Sequence, residues 1–267
     1  MKEFFKSKLG DALYSNLRDT RDFIVRAPKI PEAYLHAWRR DTINRLPALR
    51  DSHKGERCFI IGNGPSLNQT DLQKLKNEYT FGLNRIFMMF PQLGFETSYL
   101  VSINDLVIEQ SAAEIQELTI PKFIAWRSHR WLRPSNNQYF LYTTYTEPTF
   151  ANDLTRRVWE GATVTYVALQ IAFYIGFKEA ILIGVDHNFV SKGKPNTTIV
   201  SEGDDPNHFH PGYFGKGFRW QLPDLETSEI AYRMAREIYE KHGRKVIDAT
   251  VGGKLTIFPK ADYNKLF

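Results

Sequence analysis

The chain has 267 residues, 42% of them hydrophobic, enough for one large α/β domain with a sizeable core; wholesale disorder is excluded. The formal net charge of +5 is confined to residues 1–54, which hold twelve Lys/Arg against seven acids, while the 23 basic and 23 acidic residues of the remainder cancel. A nucleic-acid-binding protein spreads positive charge over its binding face, so this distribution argues against that class and leaves an anionic membrane surface, a partner or plain solvent as what the basic leader meets.

Residues 1–54 are expected to form a basic helical extension. Phe4, Phe5, Leu9, Leu13 and Leu17 recur at helical spacing, Pro28 and Pro31 break the pattern, and a second amphipathic stretch runs from Glu32 to Leu49. The opening Met1-Lys2-Glu3-Phe4-Phe5-Lys6 lacks the apolar stretch and cleavage site of a signal peptide. No apolar run approaches the roughly 20 residues of a spanning helix. The expected location is therefore cytoplasmic, with peripheral contact at the inner face of the plasma membrane open to residues 1–54. Cys58 is the sole cysteine; it lies in an apolar run, reads as a small buried hydrophobe and precludes an intrachain disulfide.

Residues 55–267 read as a Rossmann-like domain. Arg57 to Ile61 is an apolar strand, followed by the turn Gly62-Asn63-Gly64-Pro65-Ser66 and a helix from Thr70 to Asn77, capped by Thr70 or Asn68. Strands are predicted at Tyr79 to Leu83, Thr97 to Ile103 and Lys122 to Trp126, with a helix from Leu106 to Glu117. Residues 127–160 read as a loop or lid. An apolar helix from Thr163 to Ile175, a strand from Glu179 to Val185, a long polar segment 186–220, a helix from Pro223 to His242 and a strand from Lys245 to Asp248 complete the chain. Strands alternating with helices predict an α/β fold: a Rossmann-like, mostly parallel sheet flanked by helices, with the N-terminal helical extension attached.

Three places carry chemistry. Ligands of parallel α/β sheets bind beyond the carboxyl ends of the strands, where the glycine turn falls. Gly62 and Gly64 let backbone approach a phosphate, and since Pro65 has no N–H, the donors are expected from Asn63, Gly64, Ser66 and Leu67. The pattern is neither a P-loop nor G-x-G-x-x-G, and a purely structural tight turn is the alternative. Asn84 and Asn104 each follow an apolar strand and either bind ribose, base or sugar hydroxyls or simply form turns. The polar segment contains Asp186-His187-Asn188 and Asp204-Asp205-Pro206-Asn207-His208-Phe209-His210. A neutral His208 or His210 there takes a proton from an attacking hydroxyl, or braces the loop, or with an aspartate ligates a divalent ion. Lys216, Arg219 and Arg244 are candidates to neutralise phosphate, as are, less directly, Arg127, Arg156 and Arg157.

These residues carry a resemblance. Ile60-Ile61-Gly62-Asn63-Gly64-Pro65-Ser66-Leu67, Asn84 after the second strand, Gly176-Phe177-Lys178-Glu179 and Ile183-Gly184-Val185-Asp186 occur in one order. Together they resemble the 6-hydroxymethylpterin diphosphokinase-like (MptE-like) family and are similar to the metal-independent bacterial sialyltransferases of glycosyltransferase family 42, over roughly residues 55–255. The resemblance implies a nucleotide-activated substrate held by Asn63, Gly64 and Asn84. The family's Thr-Ser-Gly stretch corresponds loosely to Thr163-Val164-Thr165, and its catalytic histidine falls on His208 or His210. Gly161 stands where the sialyltransferases have an arginine, and Asn188 where they have a tyrosine. The acidic segment of the pterin branch corresponds to Ser102-Ile103-Asn104-Asp105-Leu106-Val107, with one acid.

The reading favoured by these residues is a transferase, specifically a nucleotide-sugar-dependent glycosyltransferase of cell-surface glycan synthesis, with Asp186 and His208 or His210 as catalytic residues. Gly62, Asn63, Gly64, Ser66, Asn84, Asn104, Thr163, Lys216 and Arg219 are its expected ligand-binding residues. The expected donor is a CMP-type sugar, the acceptor a glycan or lipid-linked precursor; no metal or other cofactor is required, no nucleic acid is bound, and a homo-oligomer is left open. The alternative is Mg2+-dependent pyrophosphoryl transfer from ATP to a 6-hydroxymethylpterin.

Overall fold

The computed structural model describes residues 11–190 and 193–267; Phe4, Phe5 and Leu9 lie outside the described residues. Helices α1 (Asp11–Arg26), α2 (Ile30–Leu35) and α3 (Ala37–Arg45) form the extension. The break expected at Pro28 is there: α1 stops at Arg26, Pro28 sits in a 3-10 turn, Ala27–Lys29, and Pro31 stands in the first turn of α2, where its missing N–H is harmless. The α/β body then runs β1 (Arg57–Ile61), β2 (Tyr79–Leu83), α4 (Phe90–Leu93), β3 (Tyr99–Ser102), α5 (Asp105–Gln110), α6 (Ala112–Glu117), β4 (Lys122–Ala125), β5 (Gln138–Thr144) and β6 (Arg157–Trp159). It continues with α7 (Val164–Ile175), β7 (Glu179–Ile183), β8 (Thr198–Val200), β9 (Arg219–Gln221), α8 (Leu225–Lys241) and β10 (Lys245–Asp248).

Eight strands form one parallel sheet in the order β10-β7-β1-β2-β3-β4-β5-β6, and β8 pairs antiparallel with β9 in a separate ribbon. The fold class read from the sequence is therefore the observed one. Alternate residues of β1 enter opposite cores, as a pleated strand requires: Cys58 and Ile60 face α7 and α8, whereas Phe59 and Ile61 face the layer containing Leu67, Leu72 and Ile115. Every residue of α7 from Thr165 to Ile175 is buried, so the helix is apolar all round and fills the space between the sheet and α8. Cys58 is fully buried, and burial pushes its thiol well above the ordinary range.

Four local expectations change. Residues 127–160 are not a loop or lid: they supply a 3-10 turn (Trp126–Trp131) and two sheet strands, β5 and β6. The strand predicted at Lys122 to Trp126 stops at Ala125. The stretch from Thr70 to Asn77 is a 3-10 turn, Leu72–Leu75, capped by Asp71, which accepts from the Gln73 N–H; neither Thr70 nor Asn68 is the cap. The helix predicted from Leu106 to Glu117 is broken at Ser111 into α5 and α6. Lys122, fully buried, ends α6 by donating to the carbonyls of Ile115 and Leu118 at 3.1 and 2.7 Å.

The extension is fastened to the sheet rather than hung from it. The Phe140 N–H of β5 donates to Thr42 Oγ1 of α3, and Arg45 donates to the carbonyls of Asn136 and Gln138. Among the described residues no helix is long and apolar enough to cross a membrane.

Candidate functional site

The chain reverses its direction of travel across the sheet at β1 and β7, which are neighbours although more than a hundred residues apart in sequence. A crevice beyond the carboxyl ends is expected at such a switch point. There a cavity of about 170 Å3 is lined by Gly62, Asn63, Gly64, Asn84, Thr163, Asp186, His187, Asn207, His208, Asp224, Ser228 and Tyr232, among others.

The glycine turn is shaped by its neighbour. Hydrogen bonding carries on past the strands, Gly62 N–H to Ile183 O at 2.8 Å and Gly64 N–H to Gly184 O at 2.9 Å, so the two turns lie against each other. A Cβ on Gly62 would stand 2.3 Å from the Gly184 oxygen, and one on Gly64 would stand 1.8 Å from Asp186 Oδ2. The Asp186 carboxylate occupies the place expected for a ligand anion: it accepts the Ser66 N–H at 3.2 Å and the Ser66 hydroxyl at 2.7 Å. Burial raises its pKa above the ordinary carboxylate value, and the two Ser66 bonds offset only part of that. With Leu67 N–H donating to Gly64 O, the amides of Gly62, Gly64, Ser66 and Leu67 all have acceptors inside the protein. The expected donor set is thus reduced to Asn63, whose N–H has no acceptor among the described residues. Its side chain is fixed by donation from Nδ2 to Leu83 O at 3.0 Å, which leaves a buried, unpartnered Oδ1.

The histidine segment reaches this turn directly. Phe209 N–H donates to Asn63 O at 2.9 Å and Asn68 Nδ2 donates to Phe209 O at 2.9 Å. His208 lines the cavity; His210 is exposed, accepts the Gly212 N–H on Nδ1 and lies outside it. The His208 ring stacks on Tyr213, centroids 4.1 Å apart, and Nδ1 meets Asp205 Oδ2 at 2.7 Å. Asp205 is itself anchored, accepting the Asn207 and Phe214 N–H groups. This pairing puts the proton on Nδ1 and leaves Nε2 as the ring nitrogen without a protein partner among the described residues. Asp205 is the candidate side chain that sequence reasoning did not single out; its signal was the Asp-x-x-His spacing.

Asn84 lines the cavity with φ +49°, an αL conformation that asparagine tolerates, and its Oδ1 accepts from Ser102. Ala162 and His187, also in the lining, share positive φ, so strained backbone gathers here. Thr163 caps α7, accepting the Thr165 N–H and bonding the Tyr232 hydroxyl at 3.2 Å. Asn104 is outside the cavity: its Oδ1 caps α5 through the N–H groups of Leu106 and Val107, the turn-forming role. Lys216 and Arg219 are also outside, Arg219 paired with Glu109 at 3.1 Å. Among the described residues no lysine or arginine lines the cavity. The N-termini of α7 and α8, whose first residues are in its wall, contribute positive potential there. Among the described residues no group of three or more His, Cys, Asp or Glu side chains is arranged to hold a metal ion.

A family model described as 6-hydroxymethylpterin diphosphokinase MptE-like matches residues 36–192, more than half of the chain. The chain belongs to the MptE-like family. No curated protein matches this MptE-like chain in sequence. Among solved structures, the MAf glycosyltransferase from Magnetospirillum magneticum AMB-1 is similar at a TM-score of 0.51 and 13% identity, covering 85% of this chain and 39% of that one. The MptE-like chain therefore shares its fold with well under half the length of that glycosyltransferase. A mammalian sialyltransferase in complex with Gal-beta-1-3GalNAc-ortho-nitrophenol aligns over 82% of this chain and 80% of that one, at a TM-score of 0.34 and 11% identity.

Proposed function

We propose that this MptE-like protein is a glycosyltransferase that takes a nucleotide-activated sugar, of CMP type, into the cavity beyond β1 and β7 and passes the sugar to a glycan or lipid-linked acceptor. His208 is the general base. Nε2 takes the proton of the acceptor hydroxyl, the oxygen attacks the anomeric carbon, and the bond to the nucleotide phosphate breaks. Asp205 holds the ring in the required tautomer and stabilises the imidazolium that forms. The N-terminus of α7, with Thr163, faces the negative charge of the departing phosphate, and Asn63 and Asn84 orient the nucleotide.

The observation that carries this reading is the Asp205–His208 pair, held at the cavity wall by the Phe209–Asn63 bond with Nε2 unspent. At about 170 Å3 the cavity is smaller than the roughly 300–1,000 Å3 of sites that enclose a drug-sized ligand, so the donor extends beyond its mouth. Helix α1 exposes Leu17, Phe23, Ile24 and Val25 beside Arg18 and Arg21, which favours peripheral contact with a membrane bearing the acceptor.

The test is thermal shift and donor hydrolysis across CMP-, UDP- and GDP-sugars. Stabilisation and turnover by one class, with turnover lost in His208→Ala, is the expected result. Turnover of ATP and 6-hydroxymethylpterin, with no sugar nucleotide active, replaces it with the diphosphokinase reading. That second reading is favoured by the carboxylates of Asp186 and Asp224 in the lining. Each oxygen of the pair accepts a hydrogen bond, from Ser66 or from Thr227, and keeps a second lone pair that a Mg2+ carried in by ATP would use.

A further inference from the structure

A second cavity, of about 580 Å3, opens on the same carboxyl edge of the sheet, over β3, β4 and β5 and beneath α1. Its wall toward the first cavity is an ion-pair hub. Arg127 donates to Asp105 at 2.8 Å, to the Ile103 carbonyl at 2.6 Å and to the Glu160 carboxylate, while Ala162 and Thr163, just beyond Glu160, line the first cavity. Arg127 is therefore spent in the wall and is not free for a ligand.

The remaining lining has a definite character. Trp126, one face stacked on His129 at 3.9 Å, and Tyr142 line the interior, and Val25 and Tyr145, each 61% exposed, mark the rim. The acids lie against the inner cations, Asp22 sharing Arg26 with Glu147 and Asp105 sharing Arg127 with Glu160, while Glu32 faces His129 at 3.6 Å. Lys29 and Arg130 line the cavity, are exposed, and have no carboxylate partner among the described residues. A cavity with aromatic walls inside and two unmatched cations outside is complementary to a ring that carries an anion.

We propose that this cavity binds a phosphorylated sugar, its ring against Trp126 and Tyr142 and its phosphate between Lys29 and Arg130. The phosphate is either free or the link to a lipid, whose chain would leave past Val25. The site stands independently of the transferase reading, because it uses none of the residues of the first cavity.

Binding is read directly, by calorimetry and tryptophan fluorescence on the full chain. Probes are glucose 1-phosphate, glucose, inorganic phosphate, and phosphatidylcholine vesicles with and without phosphatidylinositol. Saturable binding of glucose 1-phosphate or of the phosphatidylinositol vesicles is expected, weakened at least tenfold in Lys29→Glu/Arg130→Glu and in Tyr145→Ala, and unchanged in His208→Ala. These positions are exposed, and circular dichroism and Tm check that each variant keeps the parent fold. Preference for the vesicles assigns the lipid-linked form, and preference for glucose 1-phosphate the free one. The proposal is overturned if neither probe saturates, if inorganic phosphate binds as well as glucose 1-phosphate, if the rim variants bind like the parent, or if His208→Ala loses binding in step with them.

Discussion

Gly64 and Asp186 are locked to each other by contact, and the lock makes a measurable demand. An added methyl in Gly64→Ala meets Asp186 Oδ2 and expels the carboxylate from Ser66; the expected cost is on the order of 1–3 kcal/mol, read as a drop in Tm. In an Asp186→Ala background the penalty should shrink, leaving the Gly184 oxygen at 2.9 Å as the next obstacle. Titration of Asp186 gives a second check. Its carboxyl is raised by burial, so the folded state holds the proton more tightly than the unfolded chain. The group's contribution therefore improves as pH falls through the interval between its raised value and the ordinary one, the reverse of a salt-bridged carboxylate. The Tm difference between the parent and Asp186→Asn should accordingly move in the parent's favour on acidification. At the cavity, His208→Ala is expected to lower kcat about 10²–10⁴-fold with intact folding, and Asp205→Asn to lower kcat more than it changes KM. Much of this neighbourhood was legible: a glycine turn after a strand, an Asp after another, and histidines on a polar segment. What was not legible was how the polar groups pair. Asn104 and Asn84 look alike in sequence, yet one spends its side chain on a helix start and the other opens on the cavity. Ser66 looked like a ligand donor because nothing along the chain says that Asp186 will arrive to claim it.

At the scale of elements, β1, β2, β7 and β10 were plain because each is a short apolar run ending in a polar turn. β5 was missed because Gln138-Tyr139-Phe140-Leu141-Tyr142-Thr143-Thr144 looks polar, although aromatic and β-branched residues suit a strand buried on both faces. β6 has three residues, too few for any periodicity. The predicted helix at Thr70 gave way to a 3-10 turn because Asp71 caps only four residues before β2 must begin. β5 depends on α3 for one of its amide partners. Thr42→Val leaves the Phe140 N–H buried without an acceptor, and a loss of about 1–3 kcal/mol in denaturant unfolding is expected.

For the whole molecule, the join between extension and sheet contains an unusual group. Arg39 of α3 is fully buried, donates to the Thr155 carbonyl, and leaves Nε and Nη1 without partners; burial pushes it down to about 10. A charged guanidinium in that setting costs stability, by roughly 3 kcal/mol for a shift of this size. Arg39→Met is therefore expected to match or exceed the parent in Tm at pH 7, since a well-packed apolar side chain replaces a poorly matched ion. Above pH 10 the folded state sheds the proton before the unfolded chain does, so the parent gains and the gap narrows.

The two flanks of the sheet settle how copies of the chain can meet. β6 is only three residues long, and the free side of β10 is already taken by the C-terminal stretch, through Asp248 N–H to Pro259 O and Ala261 N–H to Asp248 O. Among the described residues β6 thus leaves a neighbour a ladder of three residues at most, and β10 is already covered. Longer strand pairing between copies is therefore disfavoured at both margins of this sheet, while the β8–β9 ribbon keeps edges of its own.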